Sequence, residues 1–134
     1  MSLTTIHGYL IGFAVIGSWL IIGFWSLALR FAKYEETPTF WRAVSVAQML
    51  LGVQWLVGLI LLVMGRLPGP PGRDGLGALL FHLSYSVFSP IVILFLAHRW
   101  ARDGRWSPHT IFALTGLIMF GLLFRAYQVG IEGF

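Results

Sequence analysis

Four long apolar segments alternate with short polar connections along the chain. The apolar runs cover about residues 5–31, 41–64, 78–97 and 110–130. Each has about the 20 residues that a helix needs to cross the hydrocarbon core of a bilayer. No strand-like alternation of apolar and polar positions competes with this pattern. The sequence therefore predicts an all-α integral membrane protein with four spans, numbered one to four along the chain.

The connections between the spans are short and hold helix-breaking residues. Residues 65–77 are rich in Pro and Gly, which end span two and precede span three. Pro108 suits the first turn of span four. Because connections of this length force successive helices to run antiparallel, we expect an up-down four-helix bundle. The whole chain, residues 1–134, is expected to form this single domain.

The composition supports a lipid environment. Hydrophobic residues make up 57% of the chain and charged residues 10%, whereas a soluble domain carries about 25% charged residues. The lipid bilayer is therefore the expected partner. Nucleic acid is not expected, because the basic residues lie at span ends rather than on one face. The chain has no cysteine, which excludes disulfides, thiolate metal sites and covalently attached haem.

The basic residues also predict an orientation. Six of them flank the connections 32–40 and 98–109, and three lie towards the other side. Since cytoplasmic loops carry the excess of Lys and Arg, these two connections are expected in the cytoplasm. Both termini are then outside. The expected location is a bacterial plasma membrane.

Three ionisable residues lie inside the outer half of the predicted spans, where burial in lipid makes them candidates for function. His82 lies five residues past Gly77, and Arg125 five before Gly130, so each is about 8 Å inside its helix end. His7 begins span one at the same membrane face. Spans one and three are diagonal partners in an up-down bundle, which suits two imidazoles approaching one flat group from opposite sides.

One haem b is the cofactor that these residues fit best, with His7 and His82 as axial ligands of its iron. The guanidinium of Arg125 is suited to a haem propionate. Tyr85 and Gln128 are expected to complete the polar shell.

The helix around His82 adds support. Ser86, one turn further on, is small enough to leave room for a planar group. Pro90 lacks a backbone N–H, so it leaves the carbonyl of Ser86 free and favours a kink. The alternative interpretation treats both histidines as ordinary interfacial residues and Arg125 as a side chain that reaches outward along its helix. His98 and His109 are expected to be interfacial residues of the opposite side.

The stretch "AQMLLGVQWLVGLILL" on span two, followed by "FHLSYS" on span three, resembles a half-domain of the haem A synthase family. In that family a Gln-x-x-Leu-Gly helix precedes a helix that opens with His-Leu. The matching positions are Gln48, Leu51, Gly52, His82 and Leu83. The resemblance covers about half of the chain and implies that His82 is an axial haem ligand. The whole chain also resembles small four-span membrane proteins of actinobacteria and their relatives.

Two functions follow from these observations. The first is a bis-histidine cytochrome that carries electrons at the outer leaflet, to or from a quinone or a larger redox complex. The alternative is an accessory subunit of a larger respiratory or photosynthetic membrane complex, without a cofactor of its own. An electron carrier or subunit is favoured over a catalyst, because all five acidic residues lie in connections or at the terminus.

Overall fold

The computed structural model describes residues 1–133, and this part of the chain is 83% helical and contains no strand. Its four long helices are α1 (Leu3–Ala32), α2 (Pro38–Val63), α3 (Gly75–Asp103) and α4 (Pro108–Glu132). All four are long and apolar enough to cross a membrane. The predicted all-α class and the four apolar helices are confirmed. The helix ends differ by several residues from the apolar runs, because polar residues continue the helices into the connections.

Local signals in the sequence fix the helix ends. The hydroxyl of Thr37 accepts the backbone N–H of Phe40 over 3.3 Å at the start of α2. The carboxylate of Asp74 accepts two backbone N–H groups, both at 3.1 Å, at the start of α3. These caps satisfy donors that the helix itself leaves free. Gly104 ends α3 with φ 75°, a backbone conformation that favours glycine.

Helices α1 and α4 form the closest pair in the bundle. A Cβ added to Gly116 of α4 would lie 2.5 Å from the Cα of Gly23 and 2.7 Å from the carbonyl oxygen of Trp19, both on α1. The two backbones therefore touch at this level. Only glycine permits this approach, which makes α1 and α4 the rigid centre of the fold.

The core is one cluster of buried apolar side chains, and its largest members, Trp19, Phe40 and Phe112, have no exposed surface. The ring of Phe112 meets Phe40 at 6.2 Å and Trp41 at 5.3 Å, both edge to face. Such pairs add about 0.5–1.5 kcal/mol each beyond the area they bury. The aromatic packing fills the end of the bundle that carries the first and third connections.

Contacts between connections define the two ends of the bundle. The carboxylate of Glu36, in the first connection, accepts the backbone N–H of His109 over 2.6 Å and lies 2.8 Å from its Nδ1. At the other end, the backbone N–H of Gly69 donates to the carbonyl of Gly130 over 2.8 Å. The first and third connections thus share one end, as an up-down bundle requires.

Helices α2 and α3 are held together by side chains, while their backbones scarcely touch. The indole N–H of Trp55 donates to the carbonyl of Ser86 over 2.6 Å. Nearer the first connection, the side-chain amide of Gln48 donates to Nε2 of His98 over 2.5 Å. Both helices, with α1 and α4, line the cavity described below.

Candidate functional site

His7 of α1 and His82 of α3 meet inside the bundle, at the end opposite the first and third connections. Their ring centroids are 6.2 Å apart and their planes are inclined at 58°. Two imidazoles that share one first-row metal ion bind it at about 2 Å, with ring centres about 1 Å further out on the same axis, and so have centroids about 6 Å apart. The observed separation matches that arrangement.

The ring of His82 is held by α4. Its Nδ1 donates to the carbonyl oxygen of Ala126 over 2.8 Å. Its edge rests on Gly130, where an added Cβ would lie 3.2 Å from Cε1 of the ring. Because a carbonyl only accepts, Nδ1 carries the hydrogen of the neutral ring and Nε2 keeps a lone pair. A metal-ligating histidine is typically oriented by a hydrogen bond of this kind.

The ring of His7 is held differently, by α2. It rests on Gly58, where an added Cβ would lie 3.0 Å from its Cε1. The side-chain amide of Gln54, one turn earlier, donates to the backbone carbonyl of His7 over 2.9 Å. Two buried polar atoms of this contact, Nδ1 of His7 and Oε1 of Gln54, have no hydrogen-bond partner among the described residues. Such atoms call for an explanation, because an unpaired buried polar group is costly.

Both histidines adjoin a π-helical segment. His7 lies within Ile6–Ile11, and His82 comes two residues before Ser84–Phe88. The second segment precedes Pro90, whose missing N–H leaves the carbonyl of Ser86 to the indole of Trp55. Single π-turns inside α-helices occur frequently at functional sites, since they turn side chains away from the regular helical stripe.

The two rings line a cavity of about 560 Å³ that all four helices enclose. Sites for cofactors and other small molecules have volumes of roughly 300–1,000 Å³. Most of its wall is aliphatic. Its polar groups include Gln54, Trp55 and Ser86 along the wall, with Arg66 the one charged residue among the described lining residues. A large apolar ligand with few polar groups fits this lining.

Arg125 is not brought to the two histidines, which corrects the expectation that it lies beside them. Its side chain is exposed and donates to Gln128 over 3.4 Å. Neither residue lines the cavity, and Tyr85 instead stacks on Phe81 at 6.3 Å. Arg125 directly precedes Ala126, which faces His82, and one residue turns a helix by about 100°. It therefore points away from the cavity.

Sequence reasoning missed three parts of the site. The rings rest on Gly58 and Gly130, and Arg66 is the cation among the lining residues where Arg125 was expected. Gln54 was expected as an interhelical hydrogen-bond partner, and its bond to the backbone of His7 confirms this. The spacing Gln54-x-x-x-Gly58 is a usable signal, because it puts an amide and a gap on one helix face. Arg66 carries no such signal, since it follows the end of α2 like any interfacial basic residue.

The other two histidines lie away from this cavity. His98 accepts from Gln48 and meets the edge of the Phe112 ring at 5.4 Å, and His109 pairs with Glu36. These contacts join helices and connections at the opposite end of the bundle. They give both residues structural partners.

The donor set of the cavity suits a metal that brings most of its own ligands. A bare transition-metal ion usually needs three or four protein ligands, and the described residues contain no group of three His, Asp or Glu that could hold one. A haem iron needs only two axial ligands from the protein. The two glycine seats and the lone pair on Nε2 of His82 therefore fit a haem.

The fold and the cavity together define an all-helical protein with four helices that are long and apolar enough to span a membrane. Comparisons with protein families, with curated proteins and with solved structures find no match for the chain.

Proposed function

We propose that this protein binds one haem b between His7 and His82 and transfers single electrons. The observation that carries the proposal is the separation of the two rings, 6.2 Å between centroids, across a cavity of about 560 Å³. His82 offers Nε2, because its Nδ1 is engaged with Ala126. His7 approaches from the diagonal helix. When bound, the haem supplies a one-electron couple, which protein residues alone do not provide.

Arg66 is the residue that would hold the anionic carboxylates of a haem. This residue follows the end of α2 and lines the cavity. A guanidinium binds carboxylates through two parallel N–H donors. Arg66 thus takes the role that the sequence suggested for Arg125. The mostly aliphatic wall would keep water away from a bound haem.

We further propose that the four helices cross a bacterial plasma membrane, with the first and third connections in the cytoplasm. The support is the excess of basic residues at that end. The histidine pair then lies in the outer half of the membrane, where a quinone or a larger redox complex could exchange electrons with it. The chain has no cysteine, so single cysteines introduced at Ser2 and Asp103 test the orientation. In intact cells, a membrane-impermeant maleimide should label Ser2→Cys and spare Asp103→Cys; the reverse pattern would overturn the orientation.

An absorbance spectrum tests the haem proposal directly. Full-length protein, expressed with adequate haem and purified in detergent, should show a Soret band that corresponds to one haem per chain. His82→Gln keeps the size of the side chain but should lose haem or leave it five-coordinate. His98→Gln is the matched control and should retain the wild-type spectrum, because His98 lies at the other end of the bundle. A folded wild-type protein without a Soret band would refute the proposal.

The second candidate is an accessory subunit of a larger membrane complex. Helices α2 and α3 favour it, because far less of their apolar surface is buried inside the protein than in α1 and α4. Lipid or a partner subunit could cover these faces. Co-purification from gently solubilised native membranes would support this function, while a chain that always migrates alone would count against it. Haem binding and a subunit role are compatible.

A further inference from the structure

The two histidines are held by unequal contacts, and this inequality has a functional consequence. We infer that His7 is the exchangeable axial ligand, and that the reduced protein binds a neutral diatomic ligand, such as carbon monoxide or nitric oxide, in its place. This inference rests on the proposed haem site. It adds a ligand-binding activity to a protein otherwise proposed only to carry electrons.

The two imidazole rings differ in the hydrogen bond at Nδ1. Nδ1 of His82 donates to Ala126 over 2.8 Å. Nδ1 of His7 is buried and has no acceptor among the described residues. A hydrogen bond at the far nitrogen makes an imidazole a better ligand, and loss of such a partner typically weakens metal binding about 10–100-fold. The bond from His7 to iron should be the weaker one by a factor of this order.

The two rings are also held in place by different contacts. His82 is clamped by α4 through both Ala126 and Gly130. For His7, the hydrogen bond from Gln54 reaches the backbone carbonyl rather than the ring. The ring itself rests on Gly58, and its buried Nδ1 has no hydrogen-bond partner among the described residues. It can therefore swing about its side-chain bonds without breaking a hydrogen bond.

The cavity around His7 suits a small neutral ligand. Gly8, next to His7, lines the cavity and has no neighbour within 4 Å of an added Cβ. The His7 ring lines the same cavity, so a small molecule in the cavity can reach it. The wall is mostly aliphatic, which favours a neutral ligand over an anion. In the exchange, the nitrogen of His7 leaves with its lone pair and the incoming ligand donates its own, with no change of oxidation state.

Rapid mixing of the reduced, haem-loaded full chain with carbon monoxide tests the inference. The Soret band of the wild type should shift, at a rate that reaches a plateau with rising carbon monoxide because release of His7 limits it. His7→Ala should bind without a plateau and at least about tenfold faster at low concentration, since its position is already open. Both complexes should have the same infrared C–O stretching frequency, because His82 remains the opposite ligand in each.

Two results would overturn the inference while leaving the haem proposal intact. One is a wild-type spectrum that carbon monoxide does not change, under conditions in which His7→Ala binds it. The other is a wild-type complex whose infrared C–O stretching frequency matches that of His82→Gln instead of His7→Ala, because His82 would then be the ligand displaced. A wild type that contains no haem refutes the proposed function itself and is recognised before any gas is added.

Discussion

Trp55 and Ser86 join two helices that otherwise scarcely touch: the indole N–H of Trp55 donates to the carbonyl of Ser86 over 2.6 Å. The carbonyl is free because Pro90, four residues later, has no N–H to offer it. A side chain of α2 thus donates the hydrogen bond that the backbone of α3 cannot give to this carbonyl. The contact lies in the wall of the cavity, so it also fixes the width of the site.

Replacing Trp55 by phenylalanine should destabilise the fold and loosen the cavity. The carbonyl of Ser86 would lose its donor, which costs about 1–3 kcal/mol when a partly buried group stays unpaired. Trp100→Phe is the control, because Trp100 is 49% exposed and surface changes stay within about 0.5 kcal/mol. Reversible unfolding in detergent measures both variants. Equal stability of the two would show that the contact contributes nothing.

Gly116→Ala should destabilise the bundle strongly. The new methyl group would lie 2.5 Å from the Cα of Gly23, so α1 and α4 must separate, at a cost of about 1–3 kcal/mol or more. Gly121→Ala, in the same helix, meets nothing within 4 Å and should instead stabilise by about 0.5–1 kcal/mol. Thermal unfolding followed by circular dichroism distinguishes the two. Opposite signs are expected, and a harmless Gly116→Ala would refute the close approach.

Gly58→Ala should lower haem occupancy without unfolding the protein. Its methyl group would lie 3.0 Å from Cε1 of His7 and push the ring out of line with His82. Gly52→Ala is the matched control on the same helix, since it meets nothing within 4 Å. The ratio of Soret to protein absorbance, at equal helical content, should fall several-fold only in the first variant. Unchanged haem occupancy in Gly58→Ala would mean that Gly58 does not position His7 as a haem ligand.

Arg66→Gln should lower the reduction potential of the bound haem, whereas Arg125→Gln should not. A fixed positive charge favours the reduced state, which carries one more negative charge, and a charge in the cavity wall is worth about a few tens of millivolts. Arg66 lines the cavity, while Arg125 points away from it. Redox titration of both variants measures the difference. A shift in Arg125→Gln alone would restore the assignment made from the sequence.

Counting residues along a helix predicts how deep a side chain lies in the bundle, but not which way it points. The apolar runs predicted four helices, and counting residues from their ends correctly put His7 and His82 at one level. Arg125 was placed at a matching depth by the same count, yet it faces away from the cavity. Depth follows from residue number alone, but direction around the axis depends on which faces pack. In nearly uniformly apolar helices the pattern does not reveal those faces.

The ring contacts at Gly58 and Gly130 show a second limit of prediction from the sequence. Gly58 and Gly130 matter because a ring from another helix rests on each of them. Nothing in the neighbourhood of Gly130 distinguishes it from Gly52 or Gly121, which face open space. Each glycine is important only because a histidine ring packs against it, and that histidine lies more than 40 positions away along the chain in both cases.

The site takes one essential part from each helix, and this has a consequence for how the protein is made. His7 comes from α1, Gly58 from α2, His82 from α3 and Ala126 from α4. The ribosome therefore synthesises the acceptor for His82 well over a hundred residues after His7. A nascent chain with two or three helices would lack the complete pocket. Loading with haem would then report that biosynthesis has passed α4, and it would act as a checkpoint for a correctly assembled bundle.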